Sequence, residues 1–133
     1  MSPNVDHYNR RITYLRVSVT DRCNLRCIYC RPVNELKLLD HANILSYEEI
    51  LKVIQAATEL GMKKVRLTGG EHLIRKNFVH LVASVCRIPR IEDIRVSTNG
   101  VLLKKMARPL FEAGSRLNKV TRETPSPRQN TLV

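Results

Sequence analysis

At 133 residues, with 43% hydrophobic and 5% aromatic content and no tryptophan, the chain is one domain or part of one, with enough apolar material for a modest core. Its 23 Lys and Arg against 12 Asp and Glu give a formal net charge of +11, which points to anionic partners such as nucleotide phosphates. No apolar run is long enough to span a bilayer, and Met1 to Tyr8 carry neither a signal core nor an Arg-rich, acid-free leader, so no membrane partner is expected.

Residues 1–11 are polar and are expected to lie over the surface. The segment Tyr14-Leu-Arg-Val-Ser-Val19 is rich in β-branched and aromatic residues and reads as a first strand. The loop that leaves it carries Cys23, Cys27 and Cys30 in the spacing C-x3-C-x2-C. Three thiolates within eight residues converge on one object or on none. A structural zinc site wants four protein ligands. An iron–sulfur cube wants one ligand on each of four irons, so three cysteines leave one iron open for chemistry. Clustered thiols of this kind fit a reducing compartment, and a cytoplasmic location is expected. The loop also leaves the C-terminal end of a strand, where α/β folds keep their active sites.

Further along, Pro32 to Asn43 reads as a loop. Ser46 and Glu49 fit a capping box that opens a helix. Ile50, Ile54, Ala57 and Leu60 are spaced to face inward, and Gly61 supplies the stop. Lys63 to Thr68 is the second strand and runs directly into Gly69-Gly-Glu-His72. A second helix is expected from Asn77 or Phe78 to about Arg87, with Leu81, Val82 and Val85 inward and Cys86 buried and inert beside them. Ile91 to Thr98 is the third strand, ended by the turn signal Asn99-Gly100. A third helix from about Leu102 to Ala113 contains Pro109, which should kink or shorten it. Residues 115–133 lack periodicity, are rich in Arg, Pro, Ser, Thr and Asn, and read as a disordered tail. Residues 1–114 thus hold three strand–helix units, which argues for an α/β fold with a parallel sheet.

Alternation along the strands aims Arg16 the same way as Ser18, and Arg66 the same way as Thr68. An arginine facing a cleft needs an anionic partner, and its planar fork suits phosphate. The competing account of either residue is a salt bridge at the sheet margin. His7, His41 and His80 show no ligand spacing, and His72 is expected to be an exposed turn histidine.

The stretch Tyr14 to Pro32, with its three cysteines, resembles the cluster loop of radical S-adenosylmethionine enzymes. In detail it is similar to the GTP 3',8-cyclase family, which acts first in molybdenum-cofactor synthesis. The resemblance covers roughly residues 8–114 and implies three βα units of a partial TIM-like barrel, truncated relative to the family. It further implies that Cys23, Cys27 and Cys30 hold three irons of a [4Fe-4S] cluster. The fourth iron then takes S-adenosylmethionine, whose reductive cleavage yields a 5'-deoxyadenosyl radical that attacks GTP. By the same resemblance Tyr29, Gly69, Gly70 and Glu71 contact S-adenosylmethionine, while Arg16, Arg66 and Ser97 contact GTP. His72 replaces the family's Pro after Gly-Gly-Glu, and Ser97 stands in for its Thr. Only Cys86 lies outside the first motif, so the family's second, C-terminal cysteine cluster has no counterpart. The polypeptide alone is therefore expected not to turn over GTP, and a second copy completing the barrel is one candidate partner. The alternatives are a small basic zinc module for nucleic acid, using the three cysteines and His41, and a non-catalytic truncated product. Under the leading reading no nucleic acid is bound.

Overall fold

The computed structural model describes residues 4–27, 37–115 and 130–132, with the side chains of 26–27 and 130–132 outside the description. In chain order the elements are β1 (Tyr14–Ser18), β2 (Leu25–Cys27), α1 (Tyr47–Glu59), β3 (Lys64–Thr68), α2 (Phe78–Cys86), β4 (Asp93–Val96), α3 (Leu103–Glu112) and β5 (Asn130–Leu132). Short 3-10 turns occupy His41–Asn43 and His72–Ile74. Strands β1, β3 and β4 form a parallel sheet in the order β1-β3-β4, and each is followed by one of the three helices. Parallel neighbours cannot be joined by a tight turn, so the helices serve as the crossovers.

The register sorts the side chains into two faces. Leu15, Val65 and Ile94 lie side by side, as do Val17, Leu67 and Val96. The helices cover this face with Ile50, Ile54, Leu81, Val82, Val85 and Leu110, which join the strand residues in one core. Each such side chain contributes about 1.5–3 kcal/mol on burial, which outweighs the modest helix propensity of these short elements. The other face carries Tyr14, Arg16 and Ser18, then Lys64, Arg66 and Thr68, then Asp93, Arg95 and Ser97. All nine are exposed or half-buried.

The expected α/β architecture, with three strand–helix units, is what the chain adopts. The capping box forms as read: Glu49 N–H donates to Ser46 Oγ at 3.2 Å, and Ser46 N–H donates to Glu49 Oε2 at 2.7 Å. Several local expectations change. Leu60 is exposed, because α1 ends at Glu59 and the inward slot after Ile54 falls to Thr58. α3 runs from Leu103 to Glu112 with Pro109 inside it, close to the expected span, and beyond it Ala113 N–H donates to the Pro109 carbonyl at 3.0 Å. Cys86 is half-buried rather than fully enclosed. β2 lies inside the stretch read as a cysteine loop and pairs antiparallel with β5, Leu25 opposite Leu132 and Cys27 opposite Asn130. Of the segment expected to be a disordered tail, residues 116–129 and 133 lie outside the described residues, and Asn130–Leu132 form this short strand.

Candidate functional site

The chain segment after β1 and the glycine turn after β3 are laced together. Val19 N–H donates to the Thr68 carbonyl at 2.9 Å, Gly70 N–H to the Thr20 carbonyl at 2.8 Å, and Glu71 N–H to the Arg22 carbonyl at 2.7 Å. This ladder delivers the chain to Cys23 in a fixed position. It also explains Gly69, whose φ is +149° and where a Cβ would lie 2.5 Å from the Thr20 carbonyl oxygen. Only glycine permits that approach of two backbones.

Glu71 is the hub of the site. Its carboxylate is buried, an expensive placement unless every lone pair is used. Thr98 Oγ1 donates to it, at 2.9 Å from Oε1 and 3.0 Å from Oε2. Asn99 N–H donates to Oε2 at 2.7 Å, and Leu73 N–H to Oε1 at 3.2 Å. The residue expected to meet a ligand thus first ties the end of β4 to the turn after β3. It can reach a ligand only by releasing one of these donors. From the tied loop, the Asn99 carboxamide nitrogen donates to Asn24 Oδ1 at 2.9 Å and to Cys23 Sγ at 3.8 Å. Three strand ends therefore meet at Cys23, Glu71 and Asn99.

Among the cysteines of the motif, Cys23 is a half-buried free thiol. Cys27 ends β2, with its side chain outside the description, and Cys30 and Tyr29 lie outside the described residues. Among the described residues no three His, Cys, Asp or Glu side chains converge on a metal position. The one described thiol of the motif, Cys23, is partly accessible, sits on a fixed backbone and faces an N–H donor, which is chemistry that a thiolate ligand of an iron–sulfur group can use. His41, the fourth ligand of the zinc reading, is exposed in its 3-10 turn.

Arg16 and Arg66 are register partners, and Arg95 completes a row of three across the face away from the helices. Arg66 stacks over the Tyr14 ring at 5.5 Å, with its Nε buried and without a hydrogen-bond partner among the described residues. Arg95 Nε donates to Asp93 Oδ2 at 2.8 Å, so its charge is partly met already. Ser97 is half-buried one residue past β4, beside the end of β3, and its N–H donates to the Leu67 carbonyl at 3.3 Å. Sequence reading missed Arg95, because only the register reveals that it shares a row with Arg16 and Arg66. It missed the role of Thr98 and Asn99 for the same reason, although the Asn99-Gly100 turn marked the place.

His72 is fully buried against Phe78, ring centroids 4.6 Å apart, which corrects the expectation of an exposed turn histidine. The 3-10 turn that starts at His72 rolls the ring into the core instead of out of the turn. Neither ring nitrogen has a hydrogen-bond partner among the described residues, and burial pushes its pKa down to about 4. Beside this turn a cavity of about 330 Å³ is lined by Arg22, His41, Arg75 and Lys76 along with Thr20, Ile44 and Ile74. Arg75 braces its wall by donating to the carbonyls of Val19 and Leu45 and stacking on Tyr47 at 4.3 Å.

Residues 17–129 match the family model of the radical SAM superfamily, a span that runs past Gly114, where the sequence resemblance was expected to stop. The GTP 3',8-cyclase of Petrotoga mobilis is 56% identical over 115 residues, 86% of this chain and 36% of that protein. The GTP 3',8-cyclase of Thermodesulfovibrio yellowstonii is 54% identical over 110 residues, 82% of this chain and 34% of that protein. The chain thus spans about a third of the length of these relatives. Among solved structures, BtrN in complex with AdoMet and 2-DOIA is similar with a TM-score of 0.57 and 26% identity, over 80% of this chain and 44% of that one. Streptococcus suis SuiB bound to precursor peptide SuiA, 22% identical over 76% of this chain and 21% of that one, shares the fold with a TM-score of 0.58. No helix among the described residues is long and apolar enough to cross a membrane.

Proposed function

The chain belongs to the radical SAM superfamily, and from that premise we propose that it provides the cluster-binding βα units of a cytoplasmic GTP 3',8-cyclase of molybdenum-cofactor biosynthesis. The reaction is GTP to (8S)-3',8-cyclo-7,8-dihydroguanosine 5'-triphosphate. One observation carries the reading: the segment bearing Cys23 is hydrogen-bonded to the Gly69-Gly70-Glu71 turn, at the C-terminal end of strands whose open face is lined by arginines in register. In this reading Cys23, Cys27 and Cys30 hold three irons of a [4Fe-4S] cluster. Tyr29, Gly69, Gly70 and Glu71 make the S-adenosylmethionine side of the site. When bound, cluster and S-adenosylmethionine supply one-electron radical chemistry.

The chain's own residues do the positioning. Gly69 seats the turn against the Thr20 backbone, Gly70 next to it would offer backbone to the ligand, and Glu71 holds the turn against the end of β4. Arg16 and Arg66 offer guanidinium forks to the triphosphate, Arg95 extends their row, and Ser97 presents a small hydroxyl at the strand end. Among the described residues the helices shield one face of the sheet only. Enclosing a radical reaction requires covering the other face as well, with strands from a second copy or from a further segment. The 133-residue polypeptide alone therefore binds its ligands and forms no cyclised product.

The test is anaerobic. The reconstituted, reduced protein is mixed with S-adenosylmethionine and GTP, its electron paramagnetic resonance spectrum is recorded, and the mixture is chromatographed. The expected result is a cluster signal altered by S-adenosylmethionine, with no cyclised product. A cluster signal indifferent to S-adenosylmethionine contradicts the site assignment. Product formed at on the order of one turnover per second contradicts the enclosure argument.

A further inference from the structure

We infer that Asn99 is a positioning residue for the cluster, its side-chain N–H donating to the Cys23 sulfur and raising the cluster's reduction potential. This rests on the cluster reading above. The carboxamide can point only one way. Val101 N–H donates to Asn99 Oδ1 at 3.1 Å, so the NH2 group faces Asn24 Oδ1 at 2.9 Å and Cys23 Sγ at 3.8 Å. Turning the amide over would set two oxygens against each other at Asn24 and leave the Val101 N–H without its acceptor.

The donor is also held ready. Asn99 N–H is fixed on Glu71 Oε2 at 2.7 Å, and Gly100 N–H on Thr98 Oγ1 at 3.1 Å. Thr98 itself is buried and bonded to both Glu71 oxygens. The amide therefore reaches Cys23 from the far edge of the sheet on a braced loop, with little conformational freedom left to lose. A one-electron reduction places added negative charge on the cluster and its thiolates. An N–H aimed at one thiolate favours the reduced form, and partial burial of both partners limits screening by water.

The test uses the full chain, loaded anaerobically with iron and sulfide and titrated with dithionite and redox mediators, without any assay of turnover. Asn99→Asp keeps the acceptor for Val101 N–H, removes the donor and sets a negative charge beside the sulfur. Asn99→Ala removes the donor without adding charge, and carries the test if the Asp variant does not fold. Both are expected to load iron and sulfide as the unaltered chain does. The midpoint should move to a more negative potential in each, further for Asp than for Ala. Loaded variants with an unchanged or more positive midpoint overturn the assignment of Asn99 alone. An unaltered chain that takes up no iron and sulfide overturns the cluster reading, and this inference with it.

Discussion

Replacing His72 with Leu should flatten the chain's response to acid. The unfolded chain binds a proton at the ordinary histidine pKa of 6.5, whereas the folded chain resists it down to about 4, because burial disfavours the imidazolium. The folded value is the lower one, so the contribution is intact above pH 6.5 and is lost progressively as pH falls toward 4. At about 1.4 kcal/mol per pH unit, that gap amounts to about 3 kcal/mol, a large fraction of a domain stability on the order of 10 kcal/mol. Urea unfolding of the unaltered and His72→Leu chains at steps from pH 7.5 to 4.5 measures it. The variant should lose about 2.5 kcal/mol less than the unaltered chain across that range. Asp6 and Glu48 are held below the usual carboxylate range, chiefly by backbone hydrogen bonds. They also lose support in acid, but both chains carry them, so they cancel in the difference. At pH 7.5 the variant should be at least as stable, since it removes two buried nitrogens that have no partner among the described residues. Parallel stability curves for the two chains would refute the argument that burial governs this histidine.

Gly69→Ala should cost more than about 2 kcal/mol in denaturant unfolding, because the new Cβ meets the Thr20 backbone carbonyl and neither backbone can yield cheaply. A neutral effect would mean that the turn and the segment before Cys23 are not packed as described. Thr98→Val keeps the side-chain shape but strips a donor from the buried Glu71 carboxylate and an acceptor from Gly100 N–H, with an expected loss of about 1–3 kcal/mol by the same measurement. Arg66→Gln should weaken GTP binding about tenfold in calorimetry and reduce its dependence on salt, since one guanidinium of the row is lost. Unchanged affinity and salt dependence would remove the row from the nucleotide site.

The architecture was legible because its signals are local. The Ser46–Glu49 box, the Gly61 stop and the alternation through Lys64–Thr68 each act over a few residues, and the helices and strands follow them closely. What escaped the sequence depends on register and on contacts across the sheet. Arg95 joins Arg16 and Arg66 only because Leu67 pairs with Val96, which no single strand reveals. Glu71 was visible as a site residue, but its four short contacts come from Leu73, Thr98 and Asn99, the last two 27 and 28 positions away. His72 was misplaced because a histidine after two glycines and a glutamate looks like part of an exposed turn. The 3-10 turn instead carries it onto Phe78, six residues on, and a polar residue takes a core position without a partner. β2 was hidden because its pairing partner lies beyond residue 129.

The most direct test of the central claim is the iron and acid-labile sulfide content of the anaerobically reconstituted chain and its cysteine variants. About four irons and four sulfides per chain are expected in the unaltered protein, as a cube requires. Replacing Cys23, Cys27 or Cys30 with Ala should abolish stable loading, whereas Cys86→Ala, on α2 in the helical layer, should leave it intact. Stoichiometric zinc without sulfide, or iron retained after loss of Cys23, would contradict the account.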